Sequence, residues 1–256
     1  MKVFDLVESP EVGIVGCLHG NEKLGAQVIR TLSSREKKLP IRTVIANEEA
    51  MKRDVRYIDT DLNRSFPGGQ GGGIEERLAP KILKALEGCR YIIDIHSTTS
   101  GMADCVVTTT DSFRKRKVRE LIEAVPIGKV VIMNKSIGKR RSLIDHVRCG
   151  VSIEFSQDRA AESVAAIVER SIRNFGEDRR RHSRKEYFKV LRPLKIKDSS
   201  KLMMKDFRRV AKGSAFAVAA GKKIRADYDF YPIFINERGY KDTTCIIAKK
   251  IVLGKR

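Results

Sequence analysis

Tryptophan is absent from this chain of 256 residues, aromatics make up only 6% of it, and it has just four histidines. Its five cysteines, Cys17, Cys89, Cys105, Cys149 and Cys245, are odd in number, widely spread and never spaced as CxxC. That excludes a disulfide framework and a cysteine zinc site, and leaves thiols that act as small buried hydrophobes. No apolar run approaches bilayer-spanning length, and the opening MKVFDLVESP lacks a signal-peptide core. The expectation is a cytoplasmic protein without a membrane partner. GGQGGG, residues 68–73, is the only low-complexity patch. No GK[ST] follows it, which excludes a phosphate-binding P-loop; a mobile loop is expected instead.

Positive charge is what the chain has in excess, a net +20. Residues 176–256 hold 23 Lys/Arg against 9 Asp/Glu, a net of +14, whereas the first 175 residues hold 29 against 23. Such a surplus attracts nucleic acid, anionic surfaces or acidic small molecules. Yet the tail interleaves few aromatics with its basic residues and carries no RNA-binding signature.

Strand-like and helical patterns alternate through the first 175 residues. EVGIVGC, IRTVIAN, YIIDIH, VVTT, KVVIM and VSIEFS read as strands. Between them NEKLGAQVIRTLSSRE, EERLAPKILKALE, SFRKRKVRELIEAV and AAESVAAIVERSIRNF repeat apolar residues at helical spacing. Pro80 is expected to kink or shorten the second helix. Alternation of this kind predicts an α/β sheet covered on both faces. After the basic stretch GEDRRRHSRKE (176–186), short strand-like pieces divided by Gly, Pro, Asp and Lys predict a β-rich tail.

In open α/β sheets chemical groups gather where strands end. The first strand runs into His19 and Glu22, YIIDIH ends in His96, and VSIE ends in Glu154. Two imidazoles and a carboxylate form a known ligand set for catalytic zinc, and a second carboxylate off the metal serves as proton carrier. His146 and His182 lie in basic, exposed stretches and read as incidental. In CLHGNE, Gly20 and Asn21 are expected to make the turn, since Gly tolerates positive φ and Asn sometimes does. Arg56, Asn63 and Arg64 fall within nine residues of RYIDTDLNRSFPG, a donor set suited to a carboxylate or an oxyanion. The alternative is a surface loop in which Asp59 and Asp61 pair with these arginines.

With these residues assembled, the sequence resembles the succinylglutamate desuccinylase/aspartoacylase family of the zinc carboxypeptidase superfamily. GCLHGNE, RYIDTDLNR, DIHSTTSGM, VSIEFSQ and YPIFINERGY occur in family order across nearly the whole chain. The resemblance implies a carboxypeptidase-like α/β/α sandwich with a mixed sheet (1–178), followed by a small C-terminal β-rich domain (186–256). It implies one Zn2+ per chain on His19, Glu22 and His96, with Glu154 as the catalytic carboxylate. Arg56 would polarise the scissile carbonyl, Asn63 and Arg64 would hold the substrate α-carboxylate, and Glu237 and Tyr240 would reach into the same cleft.

Two features depart from the family pattern. FSQD replaces a small Gly/Pro-containing string after IE, and the arginine for a substrate side-chain carboxylate falls on Arg140 or Arg141. Arg141 is preferred, because it directly precedes the SLI run. The expected function is zinc-dependent hydrolysis of the amide bond of a small acidic N-acyl amino acid. The alternatives are a zinc carboxypeptidase-like peptidase and a basic nucleic-acid-binding protein on a hydrolase scaffold.

Overall fold

The computed structural model describes residues 1–35, 39–134, 140–176, 184–196, 201–240 and 242–253. Three parallel strands lie side by side at its centre: β2 (Val12–Gly16), β4 (Tyr91–Thr98) and β7 (Gly150–Ser156). A parallel strand covered on both faces needs apolar residues in nearly every position, and VGIVG is buried throughout.

Around these strands lie β1 (Lys2–Asp5), β3 (Ile41–Ile45), β5 (Cys105–Thr109), β6 (Lys129–Met133), β8 (Glu186–Leu194), β12 (Tyr231–Ile233) and β13 (Cys245–Ile251). Among the described residues they form one ten-stranded sheet in the order β1-β3-β2-β4-β7-β5-β6-β8-β13-β12. It is mixed: β5 runs antiparallel to β7, and β13 antiparallel to β8 and β12. A second, antiparallel sheet joins β9 (Lys201–Leu202), β10 (Ala215–Ala219) and β11 (Lys222–Arg225).

Helices α1 (Leu24–Ser33), α2 (Glu48–Lys52), α3 (Ile74–Ala85), α4 (Thr110–Arg114), α5 (Arg116–Ala124), α6 (Leu143–His146) and α7 (Ala161–Gly176) complete the fold. On one face Ile29 of α1, Leu121 of α5 and Val168 of α7 share a core with Ile14, Ile93 and Ile153 of the sheet. On the other, Ala79 and Ile82 of α3 pack with Val15, Val44 and Ile92. The α/β/α expectation holds.

Pro80 does not shorten α3, which runs through it. Proline leaves the carbonyl four residues back without its helical donor, and here the N–H of Gly69 donates to Glu76 O at 2.9 Å. The pattern read as a single helix over SFRKRKVRELIEAV is two, α4 and α5, because Lys115 between them takes an extended ψ of 126°.

The described residues of 186–256 are β-rich as expected, yet β8 pairs parallel with β6, so the tail extends the main sheet. A strand's alternation marks its two faces but does not name its neighbour. The boundary residue 178, His182 and residues 179–183 of the basic run lie outside the described residues. Of the five free cysteines, Cys89 is half-buried and the others buried. No helix among the described residues is long and apolar enough to cross a membrane.

One group of the tail titrates in the acid range with a raised pKa. Asp206 is partly buried and accepts the Ile235 N–H at 3.2 Å; burial pushes its pKa up to about 6 from 3.8, against that hydrogen bond. The folded chain therefore keeps a proton that the unfolded chain has lost, and stability falls as pH rises from about 4 to about 6. With partial exposure discounting the shift, the loss is about 1–2 kcal/mol. Asp206→Asn keeps the acceptor oxygen and should flatten that slope, read as denaturant midpoints at pH 4 and pH 7.

Candidate functional site

Side-chain alternation along β4 sends Ile93 and Ile95 into the larger core and turns Ile92, Asp94 and His96 to the opposite face. On β7 Val151, Ile153 and Phe155 face that same core, so Ser152 and Glu154 lie on the side of His96. The parallel register then sets His96 beside Glu154 and Asp94 beside Ser152.

The turn after β2 brings the remaining groups to this edge. Its positive φ falls on Cys17, at 58°, rather than on Gly20 or Asn21. Gly20 is needed for space instead, since a Cβ there would lie 2.2 Å from the backbone carbon of Ala50. Glu22 N–H closes the turn on His19 O at 3.1 Å, which places both side chains at the strand end.

The Glu22 carboxylate stands between two imidazoles, 2.7 Å from His19 Nδ1 and 2.9 Å from His96 Nδ1. Each ring has its other nitrogen on a carboxylate: His19 Nε2 is 3.0 Å from Asp61, and His96 Nε2 is 2.7 Å from Asp94. One ligand atom from each of His19, Glu22 and His96 lies within 4.8 Å of the others, and all three residues are buried. Rings steered through Nε2 by carboxylates and converging on Nδ1 are how proteins orient histidine ligands.

The electrostatics favour positive charge at that centre. Burial alone would lower both imidazole pKa values, but Glu22 with Asp61 raises that of His19, and Asp94 with Glu22 raises that of His96 well above normal. Burial would raise Glu22, and the two imidazoles hold it well below the usual carboxylate range instead. This donor set fits a divalent cation, with zinc first among those that take two imidazoles and a carboxylate.

Glu154 is different. Among the described residues its carboxylate has no hydrogen-bond or ion-pair partner, and burial, with Glu22 and Glu237 adding to it, pushes its pKa up to about 7. A carboxylate that holds and releases a proton near neutrality is equipped for proton transfer.

Arg56 is locked from two sides. Its guanidinium donates to Glu22 Oε1 at 3.1 Å and to Asp61 Oδ2 at 3.3 Å. Asn63 Oδ1 accepts the Leu143 N–H at 3.0 Å, and its amide lies 3.5 Å from His96 Nε2. Arg64 and Tyr240 line the same small cavity as the histidines and Glu154. Glu237 reaches in from the tail, bonding the Thr98 hydroxyl and accepting the Thr99 N–H at 2.7 Å. It thereby pins the backbone just beyond His96.

Arg141 is not among the residues that line the small cavity. Its side chain is about half exposed and pairs with Glu76 at 3.5 Å, while Arg140 pairs with Asp111 at 2.8 Å. Because Leu143 and Ile144 turn inward at the start of α6, the arginines before them stay outside. His146 is exposed, as expected.

Three functional positions escaped the sequence reading. Asp94 was within reach, since DIH puts an acid and an imidazole on one strand face. Asp61 was weighed only as an arginine partner; nothing local ties it to a histidine 42 residues away. Glu75, fully buried, accepts backbone N–H bonds from Ile58 (2.7 Å), Asp59 (3.0 Å) and Thr60 (3.2 Å), and one from Asn47 Nδ2 (3.0 Å). It thus shapes the loop that presents Arg56, Asp61, Asn63 and Arg64. Glu75→Gln turns a donor toward those N–H groups, which should cost about 2 kcal/mol. Thermal unfolding should drop by about 4–8 °C.

The profile of the succinylglutamate desuccinylase/aspartoacylase catalytic domain matches residues 8–175. Aspartoacylase of Danio rerio is 31% identical over 140 residues, 47% of this chain and 44% of the relative. N-acyl-aromatic-L-amino acid amidohydrolase B of the same organism is 29% identical over 168 residues, 56% of this chain and 53% of the relative. A probable aspartoacylase of Parasynechococcus marenigrum is 35% identical over 111 residues, 38% of this chain and 37% of the relative. The matched stretches thus span between 37% and 53% of these relatives' length. Among solved structures, murine aminoacylase 3 superposes with a TM-score of 0.76 at 18% identity, over 95% of this chain and 96% of that one. Succinylglutamate desuccinylase of Vibrio parahaemolyticus gives 0.68 at 16% identity, over 96% and 83%. At such identities these neighbours speak for the fold.

Proposed function

Because the chain belongs to the succinylglutamate desuccinylase/aspartoacylase family, we propose that it is a zinc-dependent hydrolase of the amide bond of N-acyl amino acids. One observation carries the reading: the Glu154 carboxylate, without a partner among the described residues, stands in register with His96, beside the His19–Glu22–His96 set. Zinc held by those three residues would supply Lewis-acid polarisation and acidify water.

Glu154 accepts a proton from the attacking water and later returns it to the leaving amide nitrogen, so that water and amide become carboxylate and amine. Arg56, fixed by Glu22 and Asp61, offers N–H groups to the oxygen that gains charge during attack. Arg64 and the Asn63 amide face the α-carboxylate of the amino acid being released. Asp61 and Asp94 keep the imidazole rings aimed.

Elemental analysis of purified protein, run with hydrolysis of N-acetylaspartate, N-succinylglutamate and neutral N-acetyl amino acids, tests this reading. One equivalent of zinc and turnover of at least one member are expected. A protein that takes up no divalent metal, or that cleaves no member when loaded, would end it.

A further inference from the structure

The segment 234–240, which follows β12, concentrates backbone strain beside the catalytic groups. Phe234 and Asn236 take positive φ, 58° and 54°, although both bear side chains. Left-handed backbone without glycine is costly and persists only where surrounding groups hold it. Here it turns the chain so that Phe234, Glu237, Gly239 and Tyr240 line the cavity of about 50 Å³ that contains the histidines. Glu237 and Gly239 also border a polar cleft of about 860 Å³, so the segment is the wall at which the two spaces meet.

On its inner side the segment is tied to the end of β4. The Glu237 carboxylate bonds the Thr98 hydroxyl and accepts the Thr99 N–H at 2.7 Å, and the Arg238 N–H donates to the Thr99 hydroxyl at 3.1 Å. Gly239 packs so closely on Arg56 that a Cβ there would lie 2.7 Å from Nη1.

The strained start of the segment is held from the other side. Asp206 Oδ1 accepts the Ile235 N–H at 3.2 Å, between the two left-handed residues, and the Phe234 N–H acts on the same carboxylate. The Asn236 N–H donates to Thr244 O at 2.8 Å. Asp206 is itself fixed by its neighbour: the Phe207 N–H donates to Pro232 O at 2.9 Å, and the buried Phe207 ring stands 5.0 Å from that of Phe188. Asp206 lines neither the cavity nor the cleft.

We propose that Asp206 is a positioning residue: by holding the Phe234–Ile235 backbone it keeps the 234–240 segment folded into the catalytic cavity, so that substrate binding depends on a carboxylate that touches no substrate. Its kinetic consequence rests on the hydrolase reading; the structural hold does not. The zinc ligands, Glu154 and Arg56 have their own supports, so a loosened segment costs binding more than chemistry.

The metal-loaded full chain and its Asp206→Ala and Asp206→Asn variants are compared on whichever N-acyl amino acid of the panel above the wild type cleaves fastest, and by amide hydrogen exchange. In Asp206→Ala, KM should rise about tenfold, the worth of one lost buried hydrogen bond, with kcat changed by less than about threefold. The Thr99 amide, which Asp206 does not touch, should exchange about tenfold faster or more. Asp206→Asn keeps the acceptor oxygen and should restore both. A role confined to stability lowers the amount of active enzyme, and hence the maximal rate, but leaves KM where it was. An unmoved KM or an unmoved Thr99 amide therefore overturns the inference. If Asp206→Ala does not fold, exchange in the wild type decides: one opening constant shared by the Ile235 and Thr99 amides supports the hold, and separate constants overturn it. A wild type that cleaves no member removes the hydrolase reading, and Thr99 exchange then judges the hold by itself.

Discussion

Glu154→Gln is expected to keep its cation and to lose kcat/KM by about a hundred- to ten-thousand-fold, the usual worth of one positioned proton carrier. The substitution preserves size, and Glu154 has no bond to any of the three proposed ligands, so cation content should stay at the wild-type level. What disappears is the capacity to take a proton from water and return it to the amine. In the wild type the base must be ionised, so the rate should rise with pH as Glu154 deprotonates. A dication close by favours the ionised form, so this limb should fall below the pH of about 7 that burial and the neighbouring charges give without it. The residual rate of the variant should lack the limb. Near-normal turnover in Glu154→Gln would refute the role.

His96→Ala is expected to abolish cation binding and turnover together, and also to destabilise the fold. Asp94 is 0% exposed, its Oδ1 has no partner among the described residues, and its Oδ2 is shared by His96 at 2.7 Å and the Ser152 hydroxyl at 3.0 Å. Removing the imidazole leaves a buried charge on one neutral hydroxyl, a change that typically costs about 3–5 kcal/mol. Adding Asp94→Asn removes the charge and should recover much of the stability without restoring the cation. Denaturant midpoints and metal content of the single and double variants check both halves. If the single variant retained stoichiometric zinc, His96 would not be a ligand.

How far the site was legible differs residue by residue. His19, Glu22, His96 and Glu154 stand where apolar runs stop, and a polar group at a strand end is visible without coordinates. Asp94 shares a strand face with His96, so alternation by two already pairs them. Arg141 shows the limit: its place before SLI gave no hint of direction, and the inward turn of Leu143 and Ile144 carried it outside. Glu75 sits in an ordinary helical pattern, and only the packing of α3 against the 56–64 loop makes it the acceptor for three backbone N–H groups.

By itself the order of residues determined the alternating α/β layers, the family likeness and the chemical groups at three strand ends. These depend on local periodicity and short strings, which act over a few residues. Only the tertiary structure decided that the tail continues the main sheet, that Asp61 holds His19, and that a narrow inner cavity opens into a wide polar cleft. Each of those comes from segments brought together across tens of residues, where packing selects the neighbours and no nearby side chain announces them.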